Sequence, residues 1–272
     1  MNMLKYIIAS ILSFSSVCNS HIFMNTPPSR HNLYSEYYVS NNLVNYNLRS
    51  PLNVDPDFFT FPCKGFAMGP PTYSFYNNNI TMTLEGTAIH GGGHCQFGIT
   101  YDNINFVVLK TVLNTCLLDG LSFSFNLPDT APDGSLTIFW TWINSIGNRE
   151  YYMECADVNV ISNNINSGKV DGKELFIANL PNYPYIPEWN PTDSPDNTGE
   201  TLLLQVNDKV LFKNNNNNIA QIPTPSQIPV PPPISISIPA KITTTYQTPS
   251  QIPVPSQISI SIPSQNTTTH CR

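Results

Sequence analysis

The sequence predicts an all-β domain, an antiparallel β-sandwich with long loops followed by a disordered C-terminal tail, and three observations carry this. Short apolar or alternating segments recur between residue 21 and about residue 179. Gly, Pro, Asn and Asp break them at short intervals, and helical periodicity is scarce. The segments themselves are rich in β-branched and aromatic residues, which suit a pleated, half-buried surface.

In chain order, residues 81–85, 96–101, 106–109, 121–127, 136–143 and 151–161 read as strands, with turns at Asp102-Asn103, residues 129–134 and residues 144–148. Strands at this spacing suit a sandwich. Residues 31–57 are Asn- and Tyr-rich without a clear period and read as a long surface loop or irregular excursion. Residues 180–218 carry Pro181, Pro184, Pro187, Pro191 and Pro195 and then an Asn run, the pattern of a wrapping segment followed by a flexible joint. From Ile219 the chain is low-complexity, and Thr-Pro-Ser-Gln-Ile-Pro-Val-Pro occurs at 224–231 and again at 248–255. Such Pro/Ser/Thr-rich segments favour extended chains and serve as spacers, although the Ile-Ser-Ile-Ser-Ile runs also suit sticky strands.

Residues 1–20 have the layout of a removable secretory signal: Lys5 near the start, an apolar run from Tyr6 to Val17, then Cys18, Asn19 and Ser20. The run is too short for a membrane span. The expected organisation is a signal at 1–20, a β-sandwich domain with its wrapping segment at 21–213, and a tail at 214–272. Charged residues are 11% of the chain and the net charge is -6, which argues against a nucleic-acid partner. Of six cysteines, Cys18 lies in the signal, and export makes disulfides the default for Cys63, Cys95, Cys116, Cys155 and Cys271, with one left over.

Three stretches carry chemistry. Cleavage after Ser20 would make His21 the N-terminus, and a terminal histidine offers both its amine and its ring nitrogen to one metal ion once the amine is deprotonated. A signal peptidase can also leave a histidine there by chance. Gly86-Thr-Ala-Ile-His-Gly-Gly-Gly-His-Cys-Gln96 places His90 and His94 around three glycines, which argues against a helix presenting both rings on one face. A histidine in such a loop is more often a turn residue than a ligand. Residues 140–155 read as a hairpin whose second strand puts Glu150 and Tyr152 on one face and Tyr151, Met153 and Cys155 on the other. The tyrosines could simply pack a sandwich, but a carboxylate at the start of an aromatic strand needs solvent or a partner.

Together these stretches resemble the fungal lytic polysaccharide monooxygenases of auxiliary activity family 11, chitin-active copper enzymes built on an immunoglobulin-like β-sandwich. The resemblance runs from His21 to about Asn179. It rests on the terminal His-Ile-Phe-Met with its prolines and Arg30, Phe61-Pro-Cys-Lys-Gly, Ala88-Ile-His-Gly-Gly-Gly-His-Cys-Gln, and Tyr101-Asp-Asn. Trp140-Thr-Trp-Ile-Asn, Gly147-Asn-Arg-Glu-Tyr-Tyr-Met-Glu-Cys-Ala and Leu175-Phe-Ile-Ala-Asn complete it. It implies that the amine and ring of His21 and the ring of His90 bind copper as a three-nitrogen brace, a donor set that suits copper(II). Tyr152 then lies at an axial position, Ala88 and Glu150 flank the metal, and Glu150 orients the oxygen species by a hydrogen bond. His94 stands where the family more usually has a small residue, and we expect a second-sphere or surface role for it.

The resemblance also implies an insoluble polysaccharide substrate, chitin first, an external electron donor, a secreted monomer, and no membrane partner. With it in view we expect Cys95 to pair with Cys116 and Cys63 with Cys155, Cys271 staying unpaired or linking another chain. Two other readings are a non-catalytic copper-binding protein using the same brace and a cell-wall structural protein in which the stalk matters. Glu150 and Tyr152 beside both histidines favour catalysis.

Overall fold

The structure, a computed structural model, describes residues 22–54, 58–162, 168–192, 194 and 196–213. The expectations for the signal, His21, Cys271 and the tail from residue 214 lie outside the described residues.

Among the described residues, ten strands form two sheets. β1 (Ile22–Thr26), β3 (Asn79–Gly86) and β6 (Ser122–Asn126) make the smaller sheet, in the order β1-β3-β6. The larger contains β2 (Tyr73–Phe75), β4 (Gly93–Thr100), β5 (Val107–Val112), β7 (Gly134–Asn144), β8 (Tyr151–Val160), β9 (Lys169–Glu174) and β10 (Asp208–Phe212). Its order is β10-β9-β5-β4-β7-β8-β2. The fold is an all-β sandwich, and each of the six predicted strands is present. Pairing is antiparallel except at the edge, where β2 lies parallel to β8. That strand has three residues and arrives from a long loop, so no tight turn dictates its direction.

Period-two alternation builds the core between the sheets. Ile80, Met82 and Leu84 of β3 and Phe123 and Phe125 of β6 point inward against Phe97, Ile138, Trp140, Trp142 and Tyr152 of the larger sheet. β8 serves two cores, because Tyr151, Met153 and Cys155 face the opposite side. This is the split of faces that the sequence predicts for the hairpin.

The far face of the larger sheet is also apolar, and two segments cover it. Residues 31–54 form an irregular excursion with one short helix, α1 (Glu36–Ser40), and bury Tyr38, Leu48 and Leu52, the last of them in the second core. The segment from residue 180 forms α2 (Asn197–Leu204) and β10 and sends Ile186, Trp189 and Leu203 into the same second core, while the Asn run expected as a joint lies outside the described residues. An uncovered apolar sheet face would remain in water, and burial at about 25 cal/mol per Å² drives both segments onto it. Asp196 caps α2 by accepting from the N–H groups of Thr198 and Gly199.

Both expected disulfides are present. Cys63–Cys155 ties the early segment to β8, and Cys95–Cys116 ties β4 to the chain after β5. Arg30 is buried and grips Asp157 through two bonds, Nε to Oδ2 at 2.8 Å and Nη2 to Oδ1 at 2.6 Å. It also donates to Thr137, Asn103 and the Phe66 carbonyl, so the ion pair is desolvated but fully hydrogen-bonded.

Candidate active site

The loop between β3 and β4 carries Ala88 and His90, both half-buried. Backbone φ is positive at His90 and at the three glycines that follow, so the chain reverses here before it enters β4. Gly93 has no alternative, because a Cβ on it would run into the Ile143 carbonyl oxygen. The reversal is stitched to the β7–β8 hairpin. The His90 carbonyl accepts from Ile146 N–H and Ser145 Oγ, each at 3.0 Å, and the Gly92 carbonyl accepts from Ser145 N–H and Trp142 Nε1, each at 3.1 Å.

An aromatic column runs inward from His90. Its ring lies 5.8 Å from that of Trp142, which packs 4.6 Å from Tyr152, its cross-strand partner in the β7–β8 register. The Tyr152 hydroxyl donates to Glu150 Oε2 at 2.5 Å. Glu150 therefore has the partner that its place at the head of an aromatic strand calls for. Gly147 leaves room for the histidine: a Cβ there would sit 3.3 Å from His90 Nδ1. Asn144 shapes the hairpin end, donating to the carbonyls of Ile146 and Asn148 and accepting from Glu150 N–H. Trp142 and Asn144 are site-building residues that the sequence reading did not single out. The Trp-Thr-Trp period and an asparagine opening a turn were the available signals.

β1 begins at the same end of the smaller sheet. Ile22, the residue after His21, pairs with Gly86, four positions before His90 in the chain. Met24 N–H donates to the buried Glu154 at 2.9 Å, and the Met24 carbonyl accepts from Asn32 Nδ2 at 2.8 Å, so side chains satisfy the strand's open edge. Burial pushes the Glu154 carboxyl up to about 7 against the pull of Lys64.

His94 departs from the expected surface role. It lies in β4, 1% exposed, with its ring stacked 4.8 Å from Trp189. Nδ1 accepts from Asn114 N–H at 3.1 Å, which leaves the proton on Nε2, and Nε2–H donates to Asp196 Oδ2 at 3.0 Å. Burial holds its pKa below the ordinary histidine value despite Asp196. Both nitrogens are used inside the fold, so His94 joins β4 to the cap of α2 and has no lone pair for a metal.

Among the described residues no three His, Cys, Asp or Glu side chains gather into a closed metal site. Past Trp142 the column from His90 reaches a phenol and one carboxylate, which with the His90 ring offer one nitrogen and two oxygens, so a nitrogen-rich metal site here would need further nitrogen donors. No helix among the described residues is long and apolar enough to cross a membrane.

No family model matches the chain. Among curated proteins, it is 35% identical over 188 residues to AA11 family lytic polysaccharide monooxygenase A of Aspergillus fumigatus (strain CBS 144.89), an overlap covering 66% of this chain and 83% of that protein. It is 30% identical over 177 residues to AA11 family lytic polysaccharide monooxygenase B of Aspergillus fumigatus (strain Af293), covering 57% and 39%. To an AA11 family lytic polysaccharide monooxygenase of Aspergillus oryzae it is 29% identical over 160 residues, covering 50% and 37%. With the sandwich and the loop histidine in place, the chain belongs to the AA11 family of lytic polysaccharide monooxygenases, copper-dependent enzymes that cleave polysaccharides oxidatively.

Proposed function

We propose that this enzyme is secreted, that removal of residues 1–20 frees His21, and that His21 and His90 would hold the copper, with Tyr152 beside the site and chitin as the substrate. The observation that carries the reading is the Tyr152–Glu150 hydrogen bond at the foot of the His90–Trp142–Tyr152 column, at the sheet end where β1 begins. Residues 21–213 form the catalytic domain in this reading, and residues 214–272 form a spacer.

Copper bound there supplies the redox chemistry that, with an external electron donor, lets oxygen or peroxide attack a C–H bond of the polysaccharide. The chain's own residues do the rest. The Tyr152 hydroxyl donates to Glu150, so the phenol would limit access to the copper rather than serve as a strong ligand. Glu150 is half-buried with one oxygen committed to Tyr152, so its second oxygen can hold or pass a proton at the reacting face. Ala88, two residues before His90, is small enough to leave the approach open. A shallow face suits a chain embedded in a crystal, which no deep pocket could admit.

The test is mass spectrometry of products released from chitin and from cellulose by the copper-loaded enzyme with a reductant. Oxidised chito-oligosaccharides are expected, and products from cellulose alone would sink the chitin assignment. A form bearing one extra residue before His21 should lose tight copper binding, and unchanged affinity would remove His21 from the ligand set.

A further inference from the structure

The outer face of the smaller sheet carries a second feature, which begins at the start of β3, the end away from the His90 loop. Alternation turns Asn79, Thr81 and Thr83 of β3 outward, and they stand opposite Asn126, Ser124 and Ser122 of β6. None of the six is ionisable. Asn79 Nδ2 donates to Asn126 Oδ1 at 2.8 Å, and the hydroxyls of Thr81 and Ser124 bond at 2.9 Å. An open groove of about 380 Å³ borders this face, walled by Tyr73 and Tyr76 and floored by Thr81 and Thr83. Tyr76 is 75% exposed, an uncommon state for an aromatic ring with no partner to cover it.

The same residues spell an acceptor sequence. Asn79-Ile80-Thr81 and Asn266-Thr267-Thr268 are the two Asn-x-Ser/Thr triplets of the chain in which x is not proline. The second lies outside the described residues. Asn79 is exposed at the first position of β3, and Tyr76 precedes it by three residues on the wall of the groove.

We propose that Asn79 carries an N-linked glycan whose first sugars lie in this groove against Tyr76. The proposal rests on the export reading above. The donor class is an oligosaccharide linked to a lipid pyrophosphate. Asn79 Nδ2 gives up one proton and forms a bond to sugar C1, while the C1–O bond to the pyrophosphate breaks and the pyrophosphate leaves with the electron pair. The amide keeps its second hydrogen, so its bond to Asn126 Oδ1 survives glycosylation. A pyranose has an apolar C–H face and a polar rim. The ring of Tyr76 fits the first, and Thr81, Thr83 and Asn77 fit the second, with no charge to desolvate.

The test is to express the full chain in a secreting fungal host and release N-glycans enzymatically in heavy-oxygen water. The peptides containing Asn79 and Asn266 are then read separately by mass spectrometry. Labelled aspartate in place of Asn79 is expected, and it should vanish in Asn79→Gln and in Thr81→Ala. Protein produced with synthesis of the lipid-linked donor blocked, which keeps Asn79 as asparagine, should have a Tm lower by about 2–4 °C than the glycosylated protein, the shift that follows from roughly 1 kcal/mol in a domain of this size. Tyr76→Ala should erase that difference while leaving the unglycosylated Tm unchanged, and a difference that persists in Tyr76→Ala overturns the groove as the resting place of the sugars. Protein recovered from the medium with Asn79 unmodified overturns the glycan and leaves the export reading intact. A chain that stays inside the cell and unmodified overturns both.

Discussion

His90 and His94 are separated by three glycines, yet they have opposite environments. His90 sits half-buried on a left-handed reversal, its backbone held by the β7–β8 hairpin and its ring against Trp142. His94 is one step into a strand, its proton fixed on one nitrogen, its other nitrogen already accepting, and its ring under Trp189. The difference arises within Gly91–Gly93, where the chain turns back and β4 starts. A strand in the middle of a sheet with both faces covered turns a histidine into a structural joint. A loop that reverses at the sheet's end keeps its histidine half-buried, with the ring against Trp142.

The largest expected effect follows from removing the loop ring. His90→Ala should lose copper by more than the roughly 10–100-fold that loss of a supporting group costs, and should lose oxidised products with it. Copper titration and product analysis check this, and retention of metal would collapse the contrast. Next, His94→Ala should keep the copper spectrum but lower unfolding free energy by about 2–4 kcal/mol, through a cavity beside Trp189 and an Asp196 oxygen left without its donor. Urea denaturation reads the loss.

Gly199→Ala sharpens the same point with a change of sign. In an ordinary helix the substitution is favourable by up to about 1 kcal/mol. Here a Cβ would strike Asp196 Oδ2 and lie 3.0 Å from His94 Nε2, so the variant should be less stable by about 1–3 kcal/mol. The smallest effect is in pH. The folded pKa of His94 is depressed, so below the unfolded value of about 6.5 the unfolded chain binds a proton that the folded one refuses, and stability falls as pH falls. Glu154 has the opposite sign, since its raised pKa lets the folded chain hold a proton that is lost as pH rises toward about 7. Comparing thermal unfolding of the wild type and His94→Gln between pH 7 and pH 5 isolates the histidine, and the variant should show the shallower acid slope.

The six strands with clear alternation were legible in the sequence because burial of one face per strand leaves a period of two. The faces of β8 were legible for the same reason. β1, β2 and β10 were not recognised, since edge strands are short or mixed in character and owe their pairing to a neighbour, and β9, though inside the sheet, is a largely polar Lys-Val-Asp-Gly-Lys-Glu segment with no clear alternation. α2 was hidden by the prolines that precede it and by its dependence on a cap at Asp196 and on packing over the second core. At the candidate site, His90 and the Glu150–Tyr152 pair were singled out through the family resemblance, because residue type and spacing alone fit a turn histidine and packing tyrosines equally well. The buried position of His94 could not be read, because both of its partners, Asn114 and Asp196, come from distant parts of the chain.

The segment after residue 179 bears on how this domain could be exchanged between proteins. The resemblance to the family ends near Asn179, yet Ile186, Trp189 and Leu203 supply part of the second core, and Asp196 holds His94. A recombination event that cut at the edge of the recognisable motifs would deliver a sandwich with one sheet face stripped and a buried imidazole unpaired. The heritable module is therefore longer than the segment its chemistry advertises, and grafting it onto another carrier requires the chain through β10.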